Sequence, residues 1–254
     1  WSGGAVPTAT DNVTIPAGIT VTEDVTAAAA YSLTISGDLV YTVATARVLT
    51  VANNLTINSG GTFKSAASGT VTSHSLVVGG SLTNNGTLDF SAFSTSGATI
   101  TFNTAYSATF TLGASSITNL RATTGVTVNK GNSISSVLTF VPGGTLTVQG
   151  ANTAGFLVIT NGQFKLDGTV AFSNPLFGSV GYTIPATGGF WLNNPNATIV
   201  AQNGSPTFAG LFRISDGTYN VGTAAGNSVG LNSNSTTVIE GGTINAASRF
   251  GVAT

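Results

Sequence analysis

The sequence predicts an all-β protein, a right-handed parallel β-helix (β-solenoid) with an N-terminal cap. Three observations carry that prediction. Short alternating strands recur with one turn chemistry, the clearest copy being Leu55-Thr56-Ile57-Asn58-Ser59-Gly60-Gly61-Thr62-Phe63. The copies return 24 residues apart from Gly37 to Gly61, 18 apart from Gly144 to Gly162 and 25 apart from Gly217 to Gly242. Val, Ile, Thr and Phe are plentiful, and charged residues make up 6% of the chain against roughly 25% in an average soluble protein.

Repeats of this length without helical segments match a parallel solenoid. A β-sandwich also has many short strands, but it has no reason to repeat one turn at one phase. A propeller blade needs roughly 40 residues or more, and the Leu/Asn signature of leucine-rich repeats is missing. In a solenoid the coils stack about 4.8 Å apart, so about ten of them make a rod on the order of 50 Å long. Like charges stacked at that spacing repel by about 1 kcal/mol even in water. Thr, Ser and Asn avoid the repulsion and hydrogen-bond along the column.

Residues 1–32 read as the cap and first coil. Trp1 and Pro7 sit outside the repeat, and Asp11-Asn12-Val13-Thr14-Ile15 and Ile19-Thr20-Val21 flank a Pro16-Ala17-Gly18 turn. Repeat arrays need atypical end units, so Trp1, Pro7, Asp11 and Asn12 are expected to be structural cap residues. Residues 33–254 read as solenoid. Leu33-Thr34-Ile35, Leu49-Thr50-Val51, Leu76-Val77-Val78, Gly86-Thr87-Leu88, Leu138-Thr139-Phe140, Leu157-Val158-Ile159 and Phe212-Arg213-Ile214 are successive copies, with a less regular middle between Ala98 and Val128. The last residues, Arg249 to Thr254, show no polar cap, and an uncapped end invites aggregation. The natural protein is therefore expected to continue beyond Thr254. A chain that starts at Trp1 and has no Met is expected to be a processed product or a fragment.

Composition excludes several classes of function. Seven Lys and Arg residues, scattered from Arg47 to Arg249, cannot make a nucleic-acid surface. No apolar run approaches the roughly 20 residues of a membrane helix, so no membrane insertion is expected. With no Cys there are no disulfides or thiolate sites. A single His and no Asp-x-Asp run leave no metal site and no cofactor expected.

Candidate chemistry is sparse. Glu23 and Asp24 are the only adjacent acids, and neighbouring strand residues face opposite ways. With coils aligned on Gly-Thr-apolar, Lys64, Asp89 and Lys165 fall at one outward phase, three residues after the Gly. Lys165, Asp167, Arg213 and Asp216 would form one polar patch in neighbouring turns, or else stand as isolated solvated charges. In Phe190-Trp191-Leu192 the phase turns Phe190 and Leu192 inward and Trp191 outward. Trp191, with Tyr182 upstream, is a candidate face for stacking a sugar, or packs against a loop at Asn193 to Asn196. His74 is expected at a loop edge, structural or exposed. No catalytic residue is assigned.

The opening Trp1-Ser2-Gly3-Gly4, Val6-Pro7-Thr8 and Asp11 to Gly18, followed by Leu33-Thr34-Ile35 and Leu55-Thr56-Ile57, resembles the N-terminal region of very large surface proteins of Bacteroidota. The specific match covers about the first 65 residues. That resemblance implies an extracellular adhesin or stalk, exported by the type IX secretion system and used in some relatives for gliding. Its partners would be the export machinery and a surface polysaccharide, host or substratum. A second resemblance is to the G8 domain, which carries the same Pro…Asp-x-Val-x-Ile-Pro-x-Gly opening and is linked to polysaccharide processing. The expected function is thus a structural or adhesive module. The alternatives are a polysaccharide-binding or polysaccharide-degrading domain, or a fibre like those of phage tail spikes.

Overall fold

A computed structural model describes residues 5–42, 45–68, 73–92, 97–121, 125–131, 133–149, 155–170, 176–177, 182–200, 206–222, 224 and 226–252. Trp1 lies outside the described residues. The described residues form strands and turns without a helix, and every strand pairing is parallel. The chain is a parallel β-solenoid.

Each coil visits three faces. The first face stacks Asn12–Ile15, Ser32–Ile35, Leu55–Ile57, Leu82–Asn84, Ala108–Leu112 and Val137–Val141, then parts of Leu157–Leu166, Gly188–Val200 and Leu211–Asn220, and last Thr236–Ile239. The second face runs from Thr20–Glu23 through Asp38–Tyr41, Thr62–Lys64, Thr87–Asp89 and Ile117–Arg121 to Thr145–Gln149. The third runs from Ala27–Ala30 through Val48–Val51, His74–Val78, Ala98–Phe102 and Val126–Asn129 to the start of Leu157–Leu166. Beyond it, Thr183–Ile184, Thr207–Phe208, Ser228–Leu231 and Arg249–Val252 form a separate four-stranded sheet.

One inward column shows why this sequence takes this fold. Val13, Leu33, Leu55, Leu82, Phe110, Phe140, Leu166, Leu192, Ile214 and Ile239 are successive partners across the rungs of the first face. Every member is apolar, and those between the end members Val13 and Ile239 are buried on the coils above and below. Phe110 and Phe140 of this column continue a ring-to-ring series through Phe102, Phe110, Phe140, Phe164 and Phe190, with centroids 5.6, 5.1, 5.8 and 6.3 Å apart. Spacings in that range favour aromatic pairs beyond their area alone. Facing outward, Thr14, Thr34, Thr56, Thr83 and Thr111 stack as an uncharged ladder.

Leu55, Ile57 and Phe63 are fully buried, as their phase requires, and Gly60 and Gly61 make the bend between the first two faces. The two glycines serve different ends. Gly60 has φ +82°, a conformation L side chains disfavour. Gly61 lies so close to the coil below that a Cβ would stand 2.3 Å from the Ile35 carbonyl oxygen.

The 18-residue interval from Gly144 to Gly162 is not a coil. Thr145 enters the second face whereas Gly162 precedes the first-face segment that pairs with Val137–Val141. Two different corners share one glycine motif. Nor is His74 at a loop edge: it begins the strand His74–Val78, pairs with Ala98 and is buried.

Asn84 and Lys130, two of the polar side chains buried in the core, differ in consequence. Asn84 replaces an apolar residue in the column of Ile57 and Leu112. Its amide donates to Ile117 O at 3.0 Å and Thr118 Oγ1 at 2.9 Å, and its oxygen accepts from the Gly86 N–H at 3.0 Å. Such a group is satisfied and pins the corner. Lys130 is fully buried, with its ammonium 3.3 Å from Thr104 Oγ1, and burial lowers its pKa to about 8. The unfolded chain therefore binds more protons between about pH 8 and the ordinary lysine range, so stability rises with pH across that window. Lys130→Met is expected to stabilise the fold at pH 7 by about 1–2 kcal/mol, an advantage that shrinks toward pH 10. Urea unfolding at the two pH values checks this; equal effects at both would refute it.

Candidate functional site

On the C-terminal half of the first face the outward ladder changes character. Thr109, Thr139, Lys165, Trp191, Arg213 and Val238 are successive partners in one column. Strand alternation turns Trp191 outward while Phe190 and Leu192 on either side of it are fully buried. The rungs on its two sides each supply a cation to its ring. Lys165 Nζ is 4.3 Å and Arg213 Cζ 4.0 Å from the ring centroid. The indole N–H donates to Ser215 Oγ at 2.8 Å.

Each cation is also neutralised. Lys165 Nζ is 2.6 Å from Asp167 Oδ2, and Asn193 Nδ2 donates to Asp167 Oδ1 at 3.0 Å. Arg213 makes a forked pair with Glu240 at 2.8, 3.0 and 3.1 Å, and Ser215 Oγ donates to Glu240 Oε2. Burial pushes Asp167 up, but the Lys165 and Asn193 hydrogen bonds and the lysine charge outweigh it, leaving its pKa below the usual range. Glu240 is held low by its bonds from Arg213 and Ser215. Both carboxylates stay ionised at neutral pH, so neither is set up as a general acid.

Lys165, Asp167, Arg213 and Trp191 thus meet in one patch. Asp216 sits at its margin, across from Asn193, and accepts the Gly217 N–H at 2.9 Å. Tyr182 does not join it. Its ring stacks on Phe177 at 5.1 Å, its hydroxyl donates to Ile159 O at 3.3 Å and accepts the Ile159 N–H, and burial pushes its pKa up to about 12. The shared phase expected for Lys64, Asp89 and Lys165 is corrected too. Lys64 and Asp89 pair on the second face, whereas Lys165 stands on the first, because the glycines used to align them mark different corners. Lys165 and Arg213 lie over the Trp191 ring, and Asn193 to Asn196 continue its strand Gly188–Val200 rather than forming a loop.

At the other end, Thr8 donates to Asp11 Oδ2 through its N–H at 2.8 Å and its hydroxyl at 2.7 Å, and these bonds lower the pKa of Asp11. Asn12 Oδ1 accepts from Ser32 Oγ, tying the first coil to the second. Pro7 lies half-buried beside them.

A second cluster lies inside the solenoid near this end, and the phase analysis missed it. Glu23 occupies an inward position across from Tyr41, 5% exposed, while Asp24 next to it is exposed. Among the described residues neither Glu23 oxygen has a hydrogen-bond partner. Desolvation raises its pKa to about 7, with Arg47 opposing the rise and Asp24 adding to it. Tyr41 stacks on His74 with centroids 4.4 Å apart and donates to Ser75 O at 3.0 Å. The Arg47 N–H donates to His74 Nδ1 at 3.2 Å, and burial, then the Arg47 charge, lowers the pKa of His74. The signal was available in the alternation of Val21 and Glu23, which matches that of Leu39 and Tyr41.

Among the described residues no group of three or more His, Asp or Glu could hold a metal ion, and no helix is long and apolar enough to cross a membrane. The family model for the G8 domain matches residues 1–160. The chain belongs to the G8 domain family. No curated protein and no solved structure matches it. Within this G8 protein the Glu23 cluster falls in the matched stretch, and Lys165, Trp191 and Arg213 lie beyond it.

Two outcomes test these readings. Replacing Trp191 and Arg213 by Ala, singly and together, should give a coupling of about 0.5–1 kcal/mol in chemical unfolding; strict additivity would mean that the cation does not bind the ring. For Glu23, a folded pKa above the unfolded value means the folded state holds the extra proton. Its contribution is present below the ordinary glutamate range and is lost as pH rises through about 7. Glu23→Gln should therefore match the parent at pH 4 and exceed it in melting temperature at pH 8; a lower melting temperature at pH 8 would contradict this.

Proposed function

We propose that this G8 domain works as a rigid extracellular rod, the stalk or adhesive module of a surface protein. The observation that carries the reading is the ten-rung apolar column running the length of the solenoid beneath outward ladders of Thr and neutralised charge. Such a body resists bending, presents repeating surface and needs no ligand to fold. The resemblance of the opening residues to Bacteroidota surface proteins supports export by the type IX secretion system and placement at the cell surface, with the export machinery as a partner. On this reading the domain is not an enzyme: the carboxylates of the outward patch are held in ion pairs.

One observation favours polysaccharide binding as a second reading. Lys165, Asp167, Trp191 and Arg213 come together on one face with the hydrogen-bonding side chains of Asn193 and Ser215. Against it, both flanking rungs cover the Trp191 ring with cations, so a sugar would have to displace one of them to stack. Glycan-array binding by the chain and by Trp191→Ala separates the two. The rod reading expects no specific retention by either; strong retention abolished by the single change would replace it with carbohydrate binding. Antibody labelling of intact cells that make the native protein should succeed without permeabilisation, and labelling only after lysis would refute surface placement.

A further inference from the structure

The outward side of the first face carries a regularity that the rod reading does not require. Thr14, Thr34, Thr56, Thr83 and Thr111 are direct partners across five consecutive rungs, with no register shift between them. Two residues ahead of each stands another short polar side chain, namely Asn12, Ser32, Asn54, Ser81 and Thr109. This second column is tied from rung to rung. Ser32 Oγ donates to Asn12 Oδ1, the Ser81 N–H to Asn54 Oδ1 at 2.9 Å, and the Thr109 N–H to Ser81 Oγ at 3.0 Å. None of the five hydroxyls of the Thr14 to Thr111 ladder has a hydrogen-bond partner among the described residues, so they are left to water. Neither column holds a charge or an aromatic ring over these rungs. The other two faces are interrupted, the second by Lys64 and Asp89 and the third by Val48 and Val77.

We propose that this face binds ice. Coils repeat about every 4.8 Å and alternate residues of a parallel strand stand about 6.6 Å apart, so the two columns form a rectangular grid of hydroxyl and amide groups. Water molecules on a prism face of ice repeat on a rectangular grid of nearly these dimensions. Water held at each rung is therefore spaced for the crystal before it arrives. A β-branched side chain is stiff at χ1, so little freedom is lost when the threonines hold that water in place. Each contact is weak, but a rigid array of them engages one crystal plane together. A lysine or aspartate in the grid would keep its own hydration shell against the lattice. Solubility alone favours charge on an outer face, whereas ice requires its absence. The grid ends where Val141 and Lys165 replace the hydroxyls.

Thermal hysteresis of the full chain, read on a single ice crystal, tests the site. The freezing point should fall below the melting point, and the crystal should become faceted between the two. Fluorescently labelled chain should be taken up into a growing ice hemisphere. Thr56→Lys, at the centre of the grid, should abolish both effects while the unfolding midpoint stays that of the parent. Thr34→Lys and Thr83→Lys, on the adjoining rungs, should act alike, so that the proposal does not hang on one variant. Thr101→Lys, on the outward side of the third face, should keep both effects. No gap between freezing and melting, equal loss in the Thr56 and Thr101 variants, or full activity in all three grid variants would overturn the proposal. Thr56-dependent sedimentation with microcrystalline cellulose, without a freezing gap, would overturn it too and assign the face to a polysaccharide surface.

Discussion

In-register stacking is the constraint on which the rest of this molecule depends. Each coil places its residues directly over those of the coil below, so a side chain's closest neighbour is its column partner. On the outside this penalises like charges on consecutive rungs, and the charged residues obey it. Lys64 faces Asp89 across one rung, and Asp89 faces Asn119 on the next. Lys165 and Arg213, which share a column, are held one rung apart by Trp191, whose ring attracts both. The low charge of the chain and the makeup of its one charged patch follow from the same spacing.

The interior answers to the same rule with the opposite chemistry. Ten apolar partners in succession make the column continuous, and the polar intruders differ in whether they find hydrogen bonds within one rung. Asn84 finds three, and Tyr41 finds a carbonyl. Lys130 has one neutral partner, and Glu23 has none among the described residues. Burial moves the pKa values of both toward neutrality, in Glu23 against the opposing charge of Arg47.

Much of this was legible in the sequence, and the failures share one cause. Alternation alone identified Leu55, Ile57, Phe63, Phe190 and Leu192 as buried and Trp191 as outward, because a period of two maps directly onto two sides of a strand. Phase within a strand is local, but the face a strand belongs to is not. Gly61-Thr62-Phe63 opens the second face and Gly162-Gln163-Phe164 opens the first, although the two read alike. Lys165 was therefore assigned to the wrong column, while its proximity to Asp167 and Arg213 survived. The capping of Trp191 by two cations depends on side-chain direction across rungs, which no spacing encodes. His74 was read as an edge residue because its pairing with Ala98 lies 24 positions away, across residues of irregular pattern.

The two clusters also differ in what they imply. The Trp191 column closes on itself: each charge has its opposite, the indole N–H has an acceptor, and the carboxylates are stabilised as ions. A surface of that kind ties four consecutive rungs together and asks nothing of a partner. Glu23 is the reverse, a cost left uncompensated within the family-matched stretch. A rod selected for rigidity alone has a simple alternative at this position, since an apolar residue would extend the inward pattern of Val21 and remove the penalty. The physical contrast in this molecule therefore lies between outer charges that compensate one another and one inward acid, Glu23, whose burial outweighs the opposing charge of Arg47.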